Sequence, residues 1–376
     1  MIAVFACALI LIAYTYAGYP CLLWWRARRA DAGVGLARPP DGGLPRIAVV
    51  IPAYNEQDVI VEKLQSVLAS RYPAHLMRVI VVSDGSRDAT LARVRALSDP
   101  RLLIIERRTR AGKAAALNIA LALVTEPIVI MTDAGETLDA DAIGRLVARF
   151  EDPRIGAVSG ELGLVSLTTG LSQGLGVYWR YEKAIRQWEA SVGSVVGVTG
   201  PIYALRRDVF RPLPIDTILD DLAIPLEVVR QGYRVGYERR AFAYEKATQI
   251  GRHEFIRKRR TLAGNYQAIA RYGRLLLPGS PVAWPFWSHK VCRLIAPYAL
   301  LAMLVSAPAL PGLWGPAVET GQWTFYGLAA LAAFRHRSKR PWLTFPYTFC
   351  LLHCAALAGS YDYLAGRASA HWEKVK

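Results

Sequence analysis

From Ile2 to Trp25 the chain carries no charged side chain, and the run closes on Trp24-Trp25 followed by Arg26-Ala27-Arg28-Arg29. One helix crosses a bilayer with ~20 apolar residues, so this segment is long enough to span. A cleaved leader would place its basic residues ahead of a shorter apolar core. Here they follow the run. Basic residues stay on the cytoplasmic side, which puts Arg26–Arg29 inside and the N-terminus outside. Residues 1–30 are therefore expected to be an uncleaved transmembrane anchor, and whatever follows starts at the cytoplasmic surface.

Composition agrees with a chain partly dissolved in lipid. Charged residues make up 20% and hydrophobic residues 53% of the 376 positions, where soluble domains average ~25% charged. Disorder, collagen and coiled coil are excluded. Lys plus Arg number 46 against 30 acids, a net charge of +16. Beside membrane segments, that excess reads first as loops facing anionic lipid. The run Arg257-Lys258-Arg259-Arg260 has no aromatic interleaving and no binding module around it, so no nucleic-acid partner is expected. The five cysteines all lie in apolar stretches and the six histidines show no ligand spacing. Neither a disulfide framework nor a zinc site follows from them.

Residues 31–44 form a Gly-, Pro- and Ala-rich linker, and residues 45–274 mix short apolar runs with charged helices. Residues 275–376 return to apolar character. Pro281–Trp287 is expected at the interface, and Leu294–Trp314 and Trp342–Leu364 are expected to span. Trp323–Phe334 is short and crosses only if extended back toward Pro316. The basic loop Arg335–Arg340 belongs in the cytoplasm.

Within the polar segment, Ile47–Pro52 is a continuous β-branched run, the pattern of a strand buried on both faces. Arg78–Val82, Leu102–Ile105 and Ile128–Met131 repeat it, with helical patterns at Val59–Ser70, Ala89–Leu97 and Lys113–Leu123 between them. Alternating strand and helix predicts a parallel sheet with right-handed crossovers. Ligands of such sheets bind at the carboxyl ends of the strands. Those ends carry Tyr54-Asn55-Glu56, Asp84 and Asp133. The turn after the first strand has no glycine and no Walker lysine pattern occurs, which argues against dinucleotide and P-loop chemistry. A single strand-end Asp is as often an Asx-turn or helix cap. Two, with Asn55-Glu56, make a cluster suited to ring nitrogens, ribose hydroxyls or a cation carrying a diphosphate.

Pro52-Ala53-Tyr54-Asn55-Glu56, Val82-Ser83-Asp84-Gly85-Ser86, Gly112-Lys113-Ala114 and Thr132-Asp133-Ala134 together resemble the successive signatures of family 2 glycosyltransferases. Thr199–Arg206 is similar to that family's acceptor-side segment, Leu219-Asp220-Asp221 to its paired-acid motif, and Gly232–Val235 to the strand after it. The resemblance runs from about Ile47 to Gln267. With the flanking apolar helices it suits the cellulose, chitin and hyaluronan synthase-like branch. The implied fold class is α/β: a GT-A-like nucleotide-sugar-binding domain with a mostly parallel sheet, flanked by transmembrane helices.

The resemblance implies inverting transfer of a sugar from a nucleoside diphosphate, with UDP as the nucleotide, to a lipid or glycan acceptor. It assigns Ala53, Glu56 and Asp84 to the uridine and Lys113 to ribose or diphosphate. Asp133 is the metal ligand, Arg260 a diphosphate contact and Asp221 the base, with Asp220 mattering less. Mg2+ or Mn2+ suits the hard oxygen donors. Two departures stand out. The metal motif reads Asp133-Ala134-Gly135-Glu136, and Gly135 has no side chain to ligate; water or Glu136 would take its place. Arg257–Gly264 stands where processive enzymes carry Gln-Arg-x-Arg-Trp, and their stacking Trp is Thr261 here. Transfer of one or a few sugars to an acceptor at the cytoplasmic leaflet of a bacterial plasma membrane is therefore expected. A processive polysaccharide synthase, completed by homo-oligomers or partner subunits, and a catalytically weak nucleotide-sugar-binding subunit of a polysaccharide assembly remain as alternatives. The aromatic helix around Tyr178–Lys183 and Trp188 reads as packing or as an interface-facing stripe.

Overall fold

The computed structural model describes residues 1–30, 43–164, 170–245, 252–334 and 340–370. Most of the linker expected at 31–44, and the basic loop from Arg335 to Lys339, lie outside the described residues. The chain divides into two compact units. One comprises Asp31–Val165, Gly193–Lys246 and Ser369–Lys376; the other comprises Met1–Ala30, Ser166–Val192 and Ala247–Ala368. The polar segment expected over 45–274 thus contributes to both, because the helices Gly170–Val192 and Arg252–Tyr272 group with the apolar helices.

The first unit is built on an eight-stranded sheet of order β3-β2-β1-β4-β7-β6-β8-β5. Its strands are β1 Ile47–Ala53, β2 Met77–Asp84, β3 Leu102–Arg107, β4 Ile128–Met131, β5 Thr137–Leu138, β6 Ile155–Leu164, β7 Tyr203–Arg206 and β8 Arg234–Glu245. Every residue of β1 is buried, as a continuous β-branched run in a covered parallel sheet requires. β3, β2, β1 and β4 run parallel. The direction reverses at β7, which pairs antiparallel with β4 from Ile128↔Arg206 to Met131↔Tyr203. The sheet is therefore mixed. Its β4–β7 reversal brings the carboxyl end of β4 beside the segment that enters β7. The core packs the inward faces of β1, β2 and β4 against helices Ile60–Leu68 and Ala142–Ala148 through Val49, Ile51, Leu64, Val67, Ile143 and Leu146.

Among the described residues of the second unit, three helices are long and apolar enough to cross a membrane: Ile2–Arg29, Ala283–Ala309 and Trp342–Leu364. The first and last agree with the sequence. The middle one begins earlier than the expected Leu294, absorbs part of the segment expected at the interface, and stops at Ala309. Pro308, Pro311 and Gly312, the last at φ 60°, end it there. The weak segment at Trp323 belongs to a longer helix, Trp314–Phe334, which carries Glu319. Ile185 of the helix Gly170–Val192 is buried against Tyr19 and Leu23, with Tyr181, Trp188 and Trp284 around it. Tyr181 and Trp188 of the aromatic stripe read from the sequence are thus packed within this unit.

Candidate active site

The carboxyl ends of β1 and β2 are laced together by side chains caught on backbone amides. The Asn55 amide donates to Ser86 Oγ at 3.1 Å, the Glu56 amide to Thr90 Oγ1 at 2.8 Å, and the Arg87 amide to Asn55 Oδ1 at 2.8 Å. Asn55 holds a left-handed φ of 54°, which Asn tolerates better than most residues. Ala53 closes β1, fully buried. The two strand-end loops are one rigid edge.

Asp84 sits at that edge with no exposed surface. Its carboxylate accepts from the amides of Ala111, at 3.0 Å, and Gly112, at 2.7 Å, and lies 3.4 Å from Arg107 Nε. Gly112 has φ 93° and Gly85 φ 73°, and a Cβ on Gly85 would lie 2.7 Å from the Arg110 amide nitrogen. No other residue fits that approach. Asp84 therefore fixes the loop that starts the helix Lys113–Leu123, and so fixes where Lys113 stands.

Lys113 Nζ lies 2.7 Å from Asp133 Oδ1, just past β4, and 3.0 Å from Asp220 Oδ2, the first residue of the helix Asp220–Arg230. Burial alone would lower the lysine pKa; the Asp133 and Asp220 carboxylates outweigh it and hold the ammonium well above its ordinary range. Tyr203, on the first residue of β7, points its hydroxyl at Asp220 Oδ2 from 3.5 Å. Asp221 comes next on the helix. A Cβ on Gly200 would meet Asp221 Oδ2 at 3.3 Å and Asp133 Oδ2 at 3.7 Å, so both acids reach the same bare glycine. Both carboxylates of the helix stand in its first turn, where the helix dipole favours negative charge.

A second charged pair backs this cluster. Lys63 is 1% exposed and donates to Thr132 Oγ1 at 2.6 Å, which in turn donates to Pro201 O at 2.6 Å. Burial brings Lys63 down to about 8, opposed by Glu136 and Asp133. Burial and the nearby Asp133 carboxylate push Glu136 up to about 8. Glu136 Oε2 is buried and makes no hydrogen bond among the described residues. Gly135 is exposed, with nothing within 4 Å of where a Cβ would stand.

The structure thus brings together Asp133, Lys113 and Asp221 of the residues expected from the sequence, and places Ala53, Glu56 and Asp84 on the adjoining strand ends. Arg260 lies on the helix Arg252–Tyr272 of the other unit. Sequence reasoning ranked Asp220 below its neighbour and missed its pairing with Lys113. It also missed Tyr203, Lys63 and Arg110, whose guanidinium stacks 4.0 Å over the Tyr54 ring and whose Nε and Nη2 are buried without partners among the described residues. Lys63 did leave a signal. It stands on the apolar stripe of Ile60, Leu64 and Val67, where a lysine is out of place unless it has a buried partner.

No group of three or more His, Cys, Asp or Glu side chains is arranged as a metal cage among the described residues. Mg2+ and Mn2+ with a diphosphate need no such cage, since one or two carboxylates and the phosphate oxygens suffice. Asp133, and Glu136 with its orphaned buried oxygen, fit that donor set.

Residues 48–213 match the family described as Glycosyl transferase family 2. This stretch, which runs from β1 to past β7, is similar to a family 2 glycosyltransferase domain. The chain is 30% identical over 230 residues to an N-acetylglucosaminyltransferase of Rhizobium meliloti, covering 56% of this chain and 54% of that protein. It is 26% identical over 201 residues to poly-beta-1,6-N-acetyl-D-glucosamine synthase of Staphylococcus aureus, covering 52% and 48%. The chain spans about half the length of the curated relatives it matches. Among solved structures, a mannosyltransferase of Pyrobaculum calidifontis in complex with GDP-Man and Mn2+ aligns at TM-score 0.75 and 26% identity, over 97% of this chain and 99% of that one. The glycosyltransferase unit is GT-A-like, with the mixed sheet described above.

Proposed function

We propose that the chain transfers a sugar, with inversion, from a nucleoside-diphosphate donor to an acceptor held at the cytoplasmic face of the membrane. The observation that carries this reading is the convergence of Lys113, Asp133, Asp220 and Asp221 around Gly200 at the carboxyl edge of the sheet. In this reading Asp221 takes the proton of the acceptor hydroxyl as its oxygen bonds to the anomeric carbon from one face. The bond to the diphosphate breaks on the other face, and its electron pair leaves with the nucleotide. Lys113, held charged by Asp133 and Asp220, stands ready to meet the charge that develops on the leaving group. Asp133 would hold a divalent cation, with Glu136 beside it, and the cation would neutralise the diphosphate when bound. Ala53 and Glu56 are proposed for the nucleoside, and Asp84 as the residue that positions the Lys113 loop.

UDP is the nucleotide the motifs imply. The likeness to the GDP-Man complex extends over nearly the whole chain, and it favours GDP as a second reading. Transfer of one or a few sugars, rather than polymerisation, is supported by Thr261, whose hydroxyl is spent on Arg257 O at 2.9 Å and offers no stacking surface. Three apolar helices support an integral membrane location. The test is to incubate the full chain in nanodiscs, with membrane lipid extract, against a panel of UDP- and GDP-sugars and to measure nucleotide release and product mass. Donor-specific release, abolished in Asp221→Asn, is expected. No release above the Asp221→Asn background with any donor would overturn the proposal.

A further inference from the structure

The helical unit contains a cavity of about 410 Å³ that the chemistry above does not use. That is within the ~300–1,000 Å³ range of small-molecule sites. Its wall is divided. Phe345, Phe349, Leu352 and Ala356, all on the helix Trp342–Leu364, give it an apolar lining; Lys290, Asn265, Arg186 and Arg293, from other helices, give it a polar and basic one. Lys290 and Arg293 lie on an apolar helix, Ala283–Ala309, where a cation is costly and marks a binding or transport site more often than packing.

The wall carries more bases than acids: Arg186, Lys258, Lys290 and Arg293 line it against Glu182. Glu182 accepts from Arg293 Nη1 and, at 2.9 Å, from His289 Nε2. The other ring nitrogen, His289 Nδ1, lies 2.7 Å from Glu189 Oε1, which also accepts from the Tyr19 hydroxyl at 2.7 Å. Both acids of this buried network are thus engaged by Arg293, His289 and Tyr19. Lys290 is left over: its Nζ makes no hydrogen bond or salt bridge among the described residues. Asn265 is 8% exposed, and its Oδ1 is buried with no hydrogen-bond partner. An amide can present either its oxygen or its NH2 group to such a site. A half-buried ammonium with no partner, beside a buried amide that can turn its NH2 group into the cavity, suits an oxygen-rich anion, since leaving a buried polar group bare costs free energy.

We infer that this cavity binds the phosphate head of a single-chain amphiphile, with Lys290 and Asn265 on the phosphate and the Phe345–Phe349–Leu352 side on the first part of the tail. The depth is suitable. Arg26 stacks 4.6 Å over Trp284, marking the polar end of the bundle, and Lys290 is six residues along the same helix, about 9 Å deeper. That this amphiphile is the sugar acceptor rests on the glycosyl-transfer reading; its binding does not.

The test is equilibrium binding of dodecyl phosphate to the full chain in detergent, corrected for empty micelles, without any donor sugar. Saturable binding is expected, weakened about 10-fold or more in Lys290→Gln and several-fold in Asn265→Leu, as loss of a charge-assisted and of a neutral hydrogen bond predicts. Dodecanol should bind much less tightly, and inorganic phosphate should compete only at far higher concentration. Equal binding by dodecanol and dodecyl phosphate would reduce the site to an apolar void and overturn the inference. Competition by inorganic phosphate at the same concentration as dodecyl phosphate would make it a free-anion site and overturn it too. If Lys290→Gln loses its helical circular dichroism, the Asn265→Leu and wild-type arms decide. Because no sugar donor is present, failure here leaves the proposed transfer untouched, and failure of transfer leaves this result standing.

Discussion

Asp133 and Asp221 meet over the bare Cα of Gly200, one from the end of β4 and the other from the first turn of the helix Asp220–Arg230. A Cβ there would lie 3.3 Å from Asp221 Oδ2. Gly200→Ala should therefore displace the proposed base by a few tenths of an ångström without disturbing the core. Misplacement on this scale lowers turnover, here by about 10-fold or more. The variant should keep its melting temperature. Unchanged turnover would mean that Asp221 has no fixed position in the reaction.

The two acids of the paired motif should separate kinetically. Asp221→Asn should lower kcat by ~10²-fold or more while nucleotide affinity changes little. Asp220 instead holds Lys113 at 3.0 Å. Asp220→Asn should raise the donor KM more than it lowers kcat. Steady-state kinetics on both variants checks the pair, and interchangeable effects would remove the distinction.

Gly135 offers a test of the cation. With open space around its Cβ position, Gly135→Asp adds a carboxylate next to Asp133 at no steric cost. Mn2+ should bind more tightly, read directly by electron paramagnetic resonance titration, and activity should become harder to remove with chelator. Chelation should abolish wild-type activity, and added Mn2+ or Mg2+ should restore it. Full wild-type activity in excess chelator would leave Lys113 to neutralise the diphosphate alone.

Acid should loosen the helical unit through Glu182. Burial would raise this carboxyl, but Arg293 and His289 hold it well below its ordinary 4.5. A depressed carboxyl contributes stability that is present above its unfolded value and is lost as pH falls through the folded one. The melting temperature of the full chain should therefore drop progressively below about pH 4.5. Glu182→Gln should flatten that slope and, by breaking a buried pair, cost ~3–5 kcal/mol at neutral pH. An identical acid slope in the variant would assign the loss to other groups.

Much of the sheet was legible because its pattern is local. The continuous β-branched run of β1 announces a strand covered on both faces, and the acids at 84 and 133 mark the strand ends. What escaped depends on partners far away in the chain. Nothing near Asp220 announces Lys113, 107 positions earlier. β6 and β8 pair residues 78 to 81 positions apart with two register shifts, which no local periodicity encodes. The middle apolar helix was placed too late because its hydropathy continues past the point where Pro308 and Pro311 end it. The cavity was invisible for the same reason: Glu182, Asn265 and Lys290 sit on three separate helices.

The reversal of direction at β7 has a mechanical consequence. The strand that ends in Asp133 and the strand that follows Gly200 share one hydrogen-bonded ladder, from Ile128↔Arg206 to Met131↔Tyr203. Asp133 and Gly200 are therefore mounted on a single plank with no hinge between them. Their spacing is set when the sheet forms and cannot be tuned by closing one lobe on another. A shift in this plank would move Asp133 and Gly200, the glycine that Asp221 packs against, together.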